Sequence, residues 1–181
     1  MTLRIISGRF KGRLLKTPKS AKTRPTAAIT RAAVFNICQN QIEGASFLDL
    51  FAGSGAMGFE ALSRGASHVT FVEKNPQALR AIRENIATLK VESETTLIPF
   101  DLKLALSKFS KTYDLIYLDP PYDTPTAPIV EALLSKSLFA PNALLFIEEE
   151  APGTPSQFLS LSLLSTRQFG STLLHQYQWI G

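Results

Sequence analysis

The chain is poor in cysteine and histidine, and no acidic residue occurs before position 43. Its single cysteine, Cys38, excludes an internal disulfide. The two histidines, His68 and His175, lie so far apart that no metal site is expected. No run approaches the ~18 apolar residues that cross a bilayer. The N-terminus carries charge without an apolar core and cleavage site, so no signal peptide is expected and a cytoplasmic protein is. Neither a Gly/Ser-rich linker nor an internal repeat interrupts the sequence. What is present fits a soluble globular protein: 45% hydrophobic and 19% charged residues in 181. That length implies one domain able to bury a full core unaided, with at most a small appendage.

The missing early acids expose a segregation that the net charge of +4 conceals. Arg4, Arg9, Lys11, Arg13, Lys16, Lys19, Lys22, Arg24 and Arg31 all precede the first carboxylate, Glu43. From Glu43 onward, ten basic residues face fifteen acids. A basic leader on a mildly acidic body points to a polyanionic partner, nucleic acid first.

Two short β-like runs, Leu3–Ile6 and Arg13–Lys16, flank Gly8 and Gly12 and predict a hairpin or two edge strands. A helix is expected from about Ala27 to Gln39, with Ile29, Ala33 and Ile37 on one stripe and Val34 and Cys38 beside it. After Gly44 strand and helix alternate: strands over 46–51, 68–73, 95–100, 113–119 and 143–149, helices between them, and two closing strands. Continuous apolar strands separated by helices predict a parallel sheet covered on both faces. The expected fold is a doubly wound, mostly parallel seven-stranded α/β domain over 27–181, preceded by a basic hairpin and loop over 1–26.

In such folds the loop after the first strand cradles the ligand. Here Gly53-Ser54-Gly55-Ala56-Met57-Gly58 matches G-x-G-x-x-G between a strand and a helix. Glu73, twenty residues beyond Gly53, closes the next strand, where a carboxylate accepts from ribose hydroxyls. Asp49 stands four positions before Gly53. A carboxylate there repels a pyrophosphate but receives an ammonium group, which favours S-adenosylmethionine over a nicotinamide dinucleotide. Asp101 follows the third strand; it can reach an adenine amine, cap the next helix, or do both.

The stretch Asp119-Pro120-Pro121-Tyr122 follows the fourth strand, so it belongs on the same sheet edge as the glycine loop. An exocyclic base amine is a poor nucleophile because its lone pair is delocalised into the ring. Hydrogen bonds to Asp119 and the Pro120 carbonyl aim that lone pair, Tyr122 can stack on the base, and the prolines hold the acceptors rigid. The target base must be unpaired or flipped out.

Together these residues resemble the amino-methylating branch of the S-adenosylmethionine-dependent methyltransferases, and most closely the RsmD family. The resemblance covers nearly the whole chain. It includes RIISGRFKGRLL at the start, RPT, Arg31 and FN between Arg24 and Asn36, LDLFAGSGAMGFEALSRGA, VEKN and DPPY. It implies methylation of N2 of a guanine in 16S ribosomal RNA, within a small subunit or an assembly intermediate. The cofactor residues it implies are Asp49, Phe51, Gly53, Ser54, Gly55, Glu73, Lys74, Asp101, Leu102 and Asp119. The catalytic set is Asp119, Pro120, Pro121 and Tyr122, and the RNA-binding set Arg4, Arg9, Lys11, Arg13, Lys16 and Arg24. A monomer is expected. One departure is visible: Ala27, Ala28 and Ala32 stand where family members often carry acids. Two other functions remain open on the residues alone. One is a DNA adenine or cytosine amino-methyltransferase, and the other a non-catalytic ribosome-assembly factor. His68 and His175 are expected to be surface or strand residues, and the run Glu148–Glu150 a solvated strand end.

Overall fold

A computed structural model describes residues 3–18, 25–121 and 123–181. Helix α1 spans Pro25–Ile37, followed by β1 (Ser46–Leu50), α2 (Ala56–Ser63), β2 (His68–Val72) and α3 (Pro76–Leu89). Then come β3 (Thr95–Ile98), the single-turn α4 (Leu102–Ala105), β4 (Tyr113–Leu118) and α5 (Ala127–Ser135). The chain closes with β5 (Phe139–Glu150), β6 (Leu161–Phe169) and β7 (Thr172–Trp179). The strands form one seven-stranded sheet in the order β3-β2-β1-β4-β5-β7-β6. β1 to β5 pair in parallel, and β7 runs antiparallel to both β5 and β6.

Alternate residues of each buried strand enter opposite cores. Phe47, Phe71, Leu115, Tyr117 and Phe146 pack with α1, α2 and α3 through Val34, Phe35, Phe59, Leu62 and Ile82. Leu48, Leu50, Ile116, Leu118 and Ile147 pack with Val130 and Leu133 of α5 on the other face. This two-sided burial explains the unbroken apolar strands. Strand order reverses between β1 and β4, so the loops after these strands open at the switch point where such sheets bind ligands.

Local chemistry sets the boundaries. The Asn75 side chain accepts from the Gln77 and Ala78 N–H groups at 2.8 and 3.3 Å, capping α3, and Pro76 occupies its first turn. Prolines 120 and 121 end β4, as the sequence requires. The N-terminal runs form a hairpin joined by one bridge, Arg4 to Leu14, with Ile5 and Leu15 donating to the Arg13 and Leu3 carbonyls. It stands outside the sheet, yet Ile5 and Leu15 are buried in the α1–α3 core.

Helix α1 departs from the expected stripe. Ile29 is 56% exposed, whereas Thr30, Arg31, Val34, Phe35 and Cys38 are buried. The alternative face wins because Phe35 stacks on Phe47 of β1, at 5.9 Å between ring centroids, and Arg31 finds a buried carboxylate. Arg31 is therefore removed from the surface charge of the leader.

Candidate functional site

β1 and β4 are neighbours in parallel register, Asp49 opposite Tyr117 and Leu50 opposite Leu118. The residues that follow, the glycine loop from one strand and Asp119 from the other, therefore leave the sheet side by side. This is the meeting of two loops that the sequence reading requires.

The glycine loop is held by Glu73 and Asn85. Gly53 and Gly55 adopt φ of +56° and +78°, the left-handed region open to glycine. Gly58 lies inside α2, where an added Cβ would sit 2.2 Å from the Phe71 ring; it serves helix-to-strand packing, not a ligand. The Gly53 N–H donates to Oε2 of Glu73 at 2.7 Å, while Lys74 and Asn75 N–H groups donate to Oε1, each at 2.8 Å. Glu73 thus clamps the loop with three of its roughly four acceptor positions, leaving about one for a ribose hydroxyl. Asn85, buried on α3, donates to the Ser54 carbonyl at 3.3 Å.

Asp49 is 1% exposed and its Oδ2 accepts from the Gly58 N–H at 3.0 Å. Burial pushes its carboxyl well above the usual carboxylate range; the Gly58 hydrogen bond opposes this, and the charges of Asp119 and Glu73 add to it. A carboxyl so placed is relieved by a cation. The donor set therefore fits the ammonium and sulfonium of S-adenosylmethionine better than any phosphate.

Asp119 is exposed and Pro120 buried at the end of β4. Tyr117 donates its hydroxyl to Oε1 of Glu148 on the adjacent β5. Burial first, then the charges of Glu148 and Asp119, hold the Tyr117 phenol well above its ordinary value. Burial, then the charge of Asp119, pushes Glu148 up to about 7, against a hydrogen bond from Tyr117. Asp119 thus acts electrostatically on Asp49, Tyr117 and Glu148 alike. Tyr122 and Arg24, assigned from the sequence, lie outside the described residues.

The remaining assigned residues divide. Asp101 accepts from the Leu104 N–H at 3.1 Å and caps α4. Leu102 and Phe51 pack partly against the α5-side core, and Lys74 flanks the clamp made by Glu73. Arg4, Arg9, Lys11, Arg13 and Lys16 are all exposed on the hairpin, although Arg9 pairs with Glu94. No group of three or more metal-ligating side chains occurs among the described residues. Nor is any helix among them long and apolar enough to cross a membrane.

Several polar residues escaped the sequence reading. Glu60, 0% exposed on α2, accepts from the Ile6 and Ser7 N–H groups at 2.7 and 3.0 Å and from Arg64 at 2.7 Å, with Arg31 3.7 Å away. Asn85 accepts from the Lys16 N–H at 2.8 Å and donates to its carbonyl at 3.0 Å, tying the basic hairpin to the glycine loop. Their signal was a polar residue on an otherwise apolar helix face. Glu148 and Glu149 are half-buried and paired, not a solvated strand end. His175 is a strand residue, as expected, and is buried in β7, 3.4 Å from Glu149 and 2.9 Å from the Thr166 hydroxyl.

A family model described as conserved hypothetical protein 95 matches residues 3–178. Ribosomal RNA small subunit methyltransferase D of Haemophilus influenzae is 36% identical over 152 residues, covering 82% of this chain and 79% of its own. The enzyme of that name from Escherichia coli K12 is 32% identical over 178 residues, covering 97% and 89%. The chain belongs to the RsmD family. A solved structure of a candidate methyltransferase from Escherichia coli superposes with a TM-score of 0.89 at 30% identity, over 99% of this chain and 98% of that one. The RsmD fold is thus shared along nearly the full length of the two chains.

Proposed function

We propose that this protein transfers a methyl group from S-adenosylmethionine to the N2 amine of a guanine in small-subunit ribosomal RNA. The observation that carries the reading is the side-by-side exit of the glycine loop and Asp119 at the switch point, with Asp119 acting on the carboxyl of Asp49. The cofactor supplies an electrophilic methyl on a sulfonium. Asp49 and the loop Gly53–Gly55 orient its methionine part, Glu73 its ribose and Asp101 its adenine edge. Phe51, Lys74 and Leu102 border the same cleft.

Asp119 and the Pro120 carbonyl accept hydrogen bonds from the base amine, turning its lone pair toward the methyl. Bound S-adenosylmethionine would supply the methyl, and the amine nitrogen that receives it would gain positive charge. The Asp119 carboxylate stabilises it before the proton passes to water. Pro121 fixes the loop, and Tyr122 stacks on the base.

The hairpin within 1–26 is the RNA-binding extension of the catalytic domain, 27–181. Arg4, Lys11, Arg13 and Lys16 project charge to solvent, where phosphates are met, and Arg9 adds to that surface. Arg24 joins them in binding RNA. The protein acts as a cytoplasmic monomer on a small subunit or its assembly intermediate. The test is incubation of unmethylated small subunits with the protein and labelled cofactor, followed by nucleoside mass spectrometry. N2-methylguanosine is expected; label in adenosine or cytidine, or none at all, would reject the assignment.

A further inference from the structure

The D-P-P-Y motif serves the amines of adenine, cytosine and guanine equally, so the base must be read by something beside it. The next strand provides a candidate. Leu118 is in register with Ile147, so the residue after each is Asp119 on one strand and Glu148 on the other. Neighbouring strands lie ~4.8 Å apart, which brings the two acids within the span of one base edge. Glu148 is half-buried, and the Tyr117 hydroxyl fixes its Oε1. Oε2 makes no hydrogen bond to the described residues.

From this geometry we infer that Glu148 reads the target base as guanine, its second carboxylate oxygen accepting from the ring N1–H beside the amine held by Asp119. The inference rests on the methyltransferase reading above. Its chemical basis is the neighbour of the reacting amine. In guanine that neighbour is a ring N–H, a donor. In adenine and cytosine it is an unprotonated ring nitrogen, whose lone pair would face the carboxylate. A buried acceptor facing an acceptor loses its hydrogen bond and is left desolvated. Tyr117 fits the same logic, since its donated hydrogen bond favours the ionised, accepting form of Glu148.

The decisive substrate is 2-aminoadenosine, which keeps the N2 amine but presents a lone pair at N1. Small subunits are reconstituted with semisynthetic RNA carrying guanosine or 2-aminoadenosine at the methylated position. Both are assayed with the wild-type protein and with Glu148→Gln, after binding of S-adenosylhomocysteine confirms an intact cofactor site. Wild type should prefer guanosine by about 10- to 100-fold in kcat/KM. Glu148→Gln, whose amide can donate to N1, should narrow that ratio by about tenfold or more. Equal use of both RNAs by wild type, or an unchanged ratio in Glu148→Gln, would overturn the inference. If the variant turns over neither RNA, the wild-type ratio decides alone. Failure of the underlying reading looks different, because the wild-type protein then labels no guanosine in either RNA.

Discussion

Glu60 has no solvent exposure, and its two carboxylate oxygens draw the N-terminal hairpin, Arg31 of α1 and Arg64 onto helix α2. Burial lowers the proton affinity of the Arg31 guanidinium, and Glu60 is the first charge restoring it. Replacing Glu60 by alanine leaves Arg31 buried without its counter-ion, so a loss of about 3–5 kcal/mol is expected in a urea melt. Glu148 gives a pH-dependent counterpart. Its carboxyl is raised to about 7 in the folded chain, so folding holds its proton more tightly than the unfolded chain does. The resulting stabilisation is complete below about pH 4.5, its unfolded value, and disappears as pH rises through about 7. Glu148→Gln carries no such titration. The melting temperature of wild type should therefore fall relative to the variant between about pH 5 and 8, and parallel curves would refute the coupling. Asp119 and Tyr117 are the titratable groups that act on this carboxyl. At this scale, caps and glycines were legible because their partners lie a few residues away: Asn75 caps α3 and Asp101 caps α4. Glu60, Asn85 and Glu148 were not legible, since the backbone of Ile6 and Ser7, that of Lys16, and the Tyr117 hydroxyl that they bind lie 31 to 69 residues off in sequence.

Helix α2 and the hairpin show what elements add. Alanine is the better helix former, yet at position 58 its Cβ would meet the buried Phe71 ring and Val69 at 2.2 and 2.6 Å. Gly58→Ala should therefore destabilise by about 1–3 kcal/mol in thermal or urea unfolding. It should also weaken cofactor binding, because α2 carries the loop. The hairpin is fastened through Gly8, whose backbone lies against Ser63, and through Asn85, which also reaches Ser54. Its cations can be removed without touching those fastenings. Lys11→Ala together with Arg13→Ala should weaken RNA binding and flatten the dependence of log affinity on log salt, by about 0.7–0.9 for each phosphate no longer neutralised. An unchanged slope would place the RNA elsewhere. Strands and helices were readable from period and turn residues, including the end of β4 at the prolines. The face α1 buries was not readable, because Ile29 has greater hydrophobicity than Arg31 yet lies on the side away from Phe47 and Glu60.

Across the whole molecule, charge divides between the acid-free leader and the acid-bearing body. The described hairpin folds against α2 and α3, and Glu73, Asp49, Asp119 and Glu148 lie toward the C-terminal ends of their strands. A positive hairpin suits the phosphate backbone, while carboxylates at the sheet edge suit a cationic methyl donor and the amine of a base. The mostly parallel sheet that unites them was foreseeable from strand–helix alternation, whereas the Asn85 bridge between hairpin and loop emerged only from packing. The central claim is that Asp119 acts on a base amine beside a methyl donor held by the glycine loop. Its most direct test is single-turnover transfer of labelled methyl to small-subunit RNA by wild type and Asp119→Ala, with cofactor affinity measured in both. The variant should bind S-adenosylmethionine with little change and transfer at least ~100-fold more slowly, about 3 kcal/mol of lost transition-state stabilisation. Transfer at the wild-type rate by Asp119→Ala would contradict the account.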